Sequence, residues 1–384
     1  MDDNNDAPLI LPPGDIARPD SVFRNSCRAC GQRFNVEGVA PFTRFACPHC
    51  GAPLVVPKIF GDYWLLKRIC DSGSARLYSA LDPLLDREIL LKIVKVDRND
   101  PEKSAVWRRR LYYDSQIQAQ LDHPDVVEIY RTCRLENRDF KVCELLRGGP
   151  LRAADDPDSR TDALLLLSAL SETASLLAAA ASYNVAHGGV SPSHLLFNDD
   201  GVLKLLNFRP PEEAGLPAPP DEYAFFPPER LLDFEMTPSG DIYSLGVLLY
   251  VMLTNRHPMG NIAGLSELEL VTRQRRNPVP RLKGRCELSD DALFTLIEAM
   301  LAPRAADRPD HATVSAGLAA AAKRLARKRN LQSALSRLSR KLQEKLVALQ
   351  TGEFIAPDDD DDDNNNDNAG NDNSANMPFP DKTR

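Results

Sequence analysis

Nowhere in this chain of 384 residues do eighteen apolar residues run without interruption, so no segment reads as a membrane-spanning helix. The closest approach, 163–183, is broken by Ser168, Ser171, Glu172 and Thr173, and it reads as a buried core helix. The N-terminus lacks the positive charge of a secretory leader and carries Asp2, Asp3 and Asp6 instead. A cytoplasmic location without membrane contact is the expectation. Serine and threonine are missing from 208–228, and glycine and proline are missing from 319–349. The first absence leaves Tyr223 as the one hydroxyl of its stretch, and the second leaves a long uninterrupted helix.

What is present is ordinary in bulk. Hydrophobic residues make up 43% of the chain and the formal net charge is −8. Nine aspartates against Lys382 and Arg384 put −7 of that charge in the last 28 residues, so the body is near neutral and its charge names no partner. The eight cysteines divide unevenly. Four form Cys27-x2-Cys30 and Cys47-x2-Cys50, sixteen residues apart, which is the spacing of a four-thiolate zinc ribbon. Gly31 and Gly51 follow the second cysteine of each pair and let the backbone turn around a metal. A leaderless chain makes disulfides the poorer reading. Cys70, Cys133, Cys143 and Cys286 read as reduced, half-buried packing residues. A ribbon of some thirty residues needs its metal to fold. Arg24, Arg28, Arg33, Arg44 and Lys58 leave open whether it meets nucleic acid or protein.

A series of separate motifs follows in fixed order. Phe60–Leu66, Arg76–Ala80 and Glu88–Lys92 read as three successive strands, and Leu121–Val127 reads as the exit from a helix. Val142-Cys-Glu144 is a hinge, His187-Gly-Gly-Val-Ser-Pro-Ser-His194 a loop, and Val202–Phe208 a strand and its sequel. Pro227-Pro-Glu229, Asp241–Gly246 and Arg308-Pro309 complete the order. In this arrangement residues 60–318 resemble the eukaryotic-type serine/threonine protein kinase family, and more closely a pseudokinase of that family. The resemblance implies an α+β, two-lobed protein-kinase-like fold with a β-rich N-lobe and a helical C-lobe.

Against the needs of phosphoryl transfer, the motifs are depleted. The three glycine positions of the phosphate loop become Cys70, Ser72 and Ala75, with a displaced Gly73. Lys92 is kept, but its helix partner is Asp114, one methylene shorter than glutamate. Lys92, Asp114 and Glu144 are the nucleotide-binding candidates. Leu90 replaces a small residue and would crowd adenine, with Leu77 and Leu196 beside it. The catalytic positions are degenerate. Gly189 replaces the base, Ser191 the lysine, and His194 and Asn207 the magnesium ligands. Loss of the base alone costs about 10²–10⁴ in rate. Asp199 and Asp200 read as a solvated turn. Gly188 replaces the arginine that would receive an activating phosphate, and Tyr223 is the one hydroxyl of the segment. Prolines at 210, 211, 217, 219, 220, 227 and 228 stiffen that segment. ATP and magnesium are therefore not expected as cofactors; one structural zinc is.

The skeleton survives. His187 and Phe208 are expected to stack, Asp241 to hold the loop backbone, and Glu229 to pair with Arg308. Gln118 places an amide where an apolar residue is usual, predicting looser packing. Leucines at 331, 335, 338, 342, 346 and 349, with nine Lys and Arg against Glu344, describe a basic helix, either solvated against the C-lobe or a short coiled coil. Pro357 ends it and six aspartates, 358–363, follow. The division expected is a disordered 1–22, a ribbon 23–57, a kinase-like domain 60–318, a basic helix 319–352 and a disordered acidic tail 353–384. Three functions fit. The first is a catalytically inactive scaffold or regulator acting on protein partners such as an active kinase or signalling complex. The second is a weak or atypical ATP-binding kinase or nucleotide sensor. The third is a nucleic-acid-associated factor using ribbon and basic helix.

Overall fold

The computed structural model describes residues 9–10, 24–27, 29–36, 38–121, 123–153, 161–216, 218, 220–276 and 278–351. It has a compact unit ending at Ala326 and a second unit beginning at Arg327.

The ribbon is built from β1 (Leu9–Ile10), β2 (Arg24–Ser26), β3 (Arg33–Asn35), β4 (Arg44–Ala46) and β5 (Pro53–Val55). Strands β2 and β3 form one hairpin, and β1, β4 and β5 form a small sheet. The reading of 1–22 as structureless fails at Leu9–Ile10, which pair in parallel with Phe45–Ala46; the rest of that stretch lies outside the described residues. The ribbon's apolar core is only Cys27, Phe34, Val36, Phe45, Cys47 and Val56, with Phe34 edge-on to Phe45.

The N-lobe is a six-stranded sheet of β6 (Lys58–Phe60), β7 (Tyr63–Asp71), β8 (Ala75–Asp82), β9 (Arg87–Val94), β10 (Ile129–Leu135) and β11 (Arg138–Glu144), in the order β10-β11-β9-β8-β7-β6. Strand β6 extends this sheet two residues before the expected start at 60. Strand alternation sends Ile89, Leu91 and Ile93 to one face and Leu90 and Lys92 to the other. The first face is closed over by Phe60 and by Phe42 of the ribbon, whose ring stacks on Tyr78 at 6.2 Å. The second face looks into the cleft. Helix α1 (Pro101–Gln120) crosses the sheet, its N-terminus capped by the Asp100 side chain.

The C-lobe packs around α2 (Ala163–Ser182), which is apolar and long enough to cross a membrane; its Leu166, Leu167, Leu170, Leu176 and Leu177 are instead core residues. A three-stranded sheet of β12 (Gly149–Pro150), β13 (Leu195–Phe197) and β14 (Leu203–Leu205) lines the floor of the cleft. Then come α3 (Pro220–Tyr223), α4 (Pro228–Asp233), α5 (Pro238–Thr254), α6 (Glu267–Arg276), α7 (Asp291–Met300) and α8 (His311–Thr351). The expected boundary at 318/319 falls inside α8, a single 41-residue helix. Leu318, Ala321 and Ala322 belong to the C-lobe core, so the lobe reaches past 318. Leu331, Leu335 and Leu338 are exposed, and the acidic tail lies outside the described residues.

Candidate functional site

The roof of the cleft is the turn between β7 and β8. Two of its amides are already spent: Ser72 N–H donates to the Ala75 carbonyl at 3.0 Å, and Ala75 N–H donates to Ser72 Oγ at 3.1 Å. A phosphate cradle needs such donors free. Asp71 adds negative charge beside them, although Lys95 and Arg76 neutralise it. Cys70, on the same turn, is exposed rather than half-buried, and Cys143 is fully buried.

Lys92 and Asp114 do not pair. Register sets Lys92 opposite Lys141 on the antiparallel strands β9 and β11, so two ammonium groups point side by side at α1. Asp114, fully buried, takes Lys141: one carboxylate oxygen accepts from Lys141 Nζ at 2.5 Å, the other from Phe208 N–H at 2.9 Å. Lys141 also donates to Gln118 Oε1 at 3.1 Å, so the buried amide predicted to loosen the lobe has a charged partner. Lys92 turns instead to Asn207 Oδ1, 2.6 Å away. Burial, then the Lys141 and Arg110 charges, pull its amine down to about 8. The signal for Lys141 was in the sequence: it stands two residues before Cys143, and period-two alternation puts both on the cleft face.

The loop 187–194 keeps its frame. Asp241 accepts from the backbone N–H of His187 at 2.6 Å and of Gly188 at 2.9 Å. His187 meets Phe208 edge-on, ring centroids 4.8 Å apart, rather than in parallel. Burial holds the His187 imidazole down to about 4. The chemistry positions are filled differently. A Cβ on Gly189 would lie 2.9 Å from Arg209 Nε, so the arginine occupies the space of an aspartate side chain. Arg209 is ion-paired to Glu222 from α3. His194 donates from Nδ1 to the Gly189 carbonyl at 2.6 Å, with Glu222 3.7 Å from Nε2. Ser191 Oγ bonds Ser193 Oγ at 2.9 Å. Glu213, nearly fully buried, is held by Arg110 of α1 at 2.6 Å. None of Arg209, Glu222, Arg110 or Glu213 was singled out from the sequence. Each pair joins residues 13 or about 100 positions apart, and neither spacing is local.

At the hinge end, Leu90 packs with Val127 and Cys143, bordered by Leu77, Leu145, Leu146 and Leu206. The expected neighbour Leu196 is replaced there by Leu206, because β13 carries Leu196 at its centre opposite Lys204. Glu144 pairs with Lys204 at 2.9 Å and accepts from the Glu128 N–H at 2.9 Å. Asp199 is paired to Arg147 at 2.6 Å, still on an exposed turn. A cleft of about 890 Å³ remains open between the lobes. Below it Arg308 grips Glu229 with two bonds of 2.6 and 2.9 Å.

The four ribbon cysteines converge. Cys27 and Cys50 sulfurs are 3.5 Å apart, Cys30 and Cys47 sulfurs 3.7 Å, and all four lie within 4.8 Å of one another. Zinc–sulfur bonds of about 2.3 Å set tetrahedral edges of roughly 3.8 Å, so the donor set fits zinc in type and spacing. Gly31 and Gly51 carry φ of +75° and +73°, and each N–H closes back on the first cysteine of its pair.

Residues 65–317 match the family model described as protein kinase domain. The probable serine/threonine-protein kinase pknA2 of Bifidobacterium longum is 26% identical over 264 residues, which are 67% of this chain and 34% of that protein. The serine/threonine-protein kinase PknL of Mycobacterium tuberculosis is 28% identical over 281 residues, 71% of this chain and 69% of its own length. The serine/threonine-protein kinase PrkC of Bacillus subtilis is 28% identical over 223 residues, 56% of this chain and 33% of its own. The chain thus spans about a third of two of these relatives. With its two lobes, its motif order and a family match over more than half its length, the chain belongs to the protein kinase domain family.

Proposed function

We propose that this chain is a catalytically silent protein-kinase-fold protein, a scaffold or regulator that works through contacts with protein partners such as a signalling complex. The Arg209 guanidinium carries this reading: it lies in the side-chain space beside Gly189 and is tied to Glu222. A base cannot be recruited into that space without expelling a buried ion pair, and breaking such a pair one-sidedly costs about 3–5 kcal/mol. The metal positions support the same reading, since His194 is spent on the Gly189 carbonyl and Asn207 on Lys92. The ribbon completes the proposal as a one-zinc module docked on the N-lobe, in a cytoplasmic protein.

The test is phosphate transfer by the full chain, with ATP and magnesium or manganese, to itself and to generic protein substrates. No transfer is expected. Transfer that Lys92→Ala abolishes would overturn the reading in favour of a weak, atypical serine/threonine kinase. That second reading draws on the open cleft, the retained Lys92 and the kinase names of the relatives.

A further inference from the structure

Past the lobes, charge is divided between two adjoining stretches, both in the second unit, which begins at Arg327. Arg324, the cation of α8 just before it, is spent on Asp290, 2.8 Å away. From Arg327 to Thr351 seven Lys and Arg stand against Glu344, an excess of six. Residues 327–340 are all exposed, and the five cations of that span (Arg327, Lys328, Arg329, Arg337 and Arg340) share it with no Asp or Glu. Three of the five are consecutive and the other two lie three apart, an arrangement that repels itself on a helix surface. Acids one turn away would steady such a helix, and Glu344, four after Arg340, is the one acid at that spacing.

The complementary charge begins a few residues later. Nine aspartates against Lys382 and Arg384 give 357–384 a charge of −7, and six of them form the run 358–363. The connecting length matches the helix to be covered. Arg327 to Thr351 rises about 36 Å along the helix axis. The twelve residues from Thr351 to Asp363 span up to about 40 Å when extended. Doubled back, the run therefore reaches every cation of the stretch. Gly352 follows the helix directly and is the residue type that most readily reverses a chain there, while Pro357 bars a further helical turn before the aspartates.

We propose that the aspartate run 358–363 docks along the basic stretch of α8, as an intramolecular polyanion that keeps other polyanions off the helix. Two observations favour the tail over nucleic acid as the occupant. No aromatic residue lies in 311–351, so nothing there stacks a base. The tail is also tethered beside the helix, which gives it an effective concentration on the order of millimolar. The opposing charges, six and seven, nearly cancel. A second copy of the helix is then excluded by cover as well as by charge. The inference concerns residues beyond 317, where the match to the kinase family model ends, and it stands whether or not the lobes transfer phosphate.

The experiment is zero-length carbodiimide coupling of the full chain, which joins an amine to a carboxylate only where they touch, read by peptide mass spectrometry. Lys328, Lys341 and Lys345 should couple to aspartates of 358–363 at low salt and lose those links at high salt. In a mixture of isotope-labelled and unlabelled chains, the links should join residues of one chain. Replacing all six aspartates with asparagine (Asp358→Asn through Asp363→Asn) should tighten heparin binding roughly tenfold. Adding Arg327→Gln, Lys328→Gln and Arg329→Gln should cancel that gain. Links from the aspartates to lysines of the lobes instead, links only between chains, or no links would overturn the proposal. So would an affinity for heparin, or for a DNA duplex, that the six substitutions leave unchanged, since the helix would then stand open to outside polyanions with its tail in place.

Discussion

Two buried ion pairs, one on the floor of the C-lobe and one in the roof of the cleft, are built from similar groups and are anchored differently. Arg308 and Glu229 hold the arrangement expected of the family, with Arg308 also donating to the carbonyls of Ala302, Ser239 and Pro303. Asp114 holds the expected place on α1 but pairs with Lys141 of β11 rather than with Lys92 of β9. The floor pair joins segments whose geometry every backbone contact around it depends on. The roof pair joins a helix to whichever of two adjacent strands offers an ammonium. On the silent-kinase reading proposed above, the site needs only a neutralised carboxylate, and either lysine supplies one. The comparison teaches that scaffold contacts and catalytic contacts of one fold can drift independently.

The floor should therefore be the costlier place to intervene. Arg308→Leu strands Glu229 and three carbonyl acceptors in a buried region, and should lower unfolding free energy by about 3–5 kcal/mol in urea denaturation. A loss under 1 kcal/mol would erase the contrast. In the roof, Lys141→Met leaves Asp114 charged and buried, but Lys92 is positioned to swing across and replace the lost partner. The expected cost is smaller, about 1–3 kcal/mol, and Lys92→Met alone should cost less than Lys141→Met because its present partner is neutral. The reverse order of these two lysines would show that Lys92, not Lys141, holds α1.

Residues whose roles depend on nearby sequence could be read in advance. Asp241 opens a helix and reaches the loop at His187 and Gly188, and the four cysteines sit in two self-similar turns with a glycine after each pair. Such local geometry follows from spacing. Choices between equivalent partners could not be read. Asp114 had two lysines in reach, and only the β9–β11 register shows that both face it. The same holds for Arg209: its contact with Gly189 and Glu222 depends on how the segment after Phe208 folds back. Leu206, just past the end of β14, borders Leu90, a neighbour that the sequence reading did not name. Residue 318 marks no helix end, because the apolar pattern continues through Ala321 and Ala322 without a helix stop.

The ribbon offers a third kind of cohesion, with six core residues and four thiolates. Metal analysis should return one zinc per chain, lost in the double variant Cys27→Ser, Cys47→Ser. Hydrogen exchange across 24–56 should then rise to that of an unfolded segment. The lobes should lose only the cover that Phe42 gives Tyr78, about 1 kcal/mol on their own unfolding. A metal-free chain still protected over 24–56 would refute zinc as the ribbon's main support.

The smallest effect is expected on α8. Leu331, Leu335 and Leu338 are 62%, 57% and 59% exposed, so they contribute little to burial. Their spacing of four and three is that of a coiled-coil seam, yet nine Lys and Arg against one Glu over 319–349 set strong repulsion against a second copy of the helix. At moderate salt the repulsion should prevail over so short a stripe. Replacing the three leucines with serine should leave the unfolding free energy within about 0.5 kcal/mol and the sedimentation coefficient unchanged. A wild-type dimer that the triple variant converts to monomer would reverse this. The leucines would then be a seam between two chains, and raising the salt should strengthen that dimer by screening its like charges.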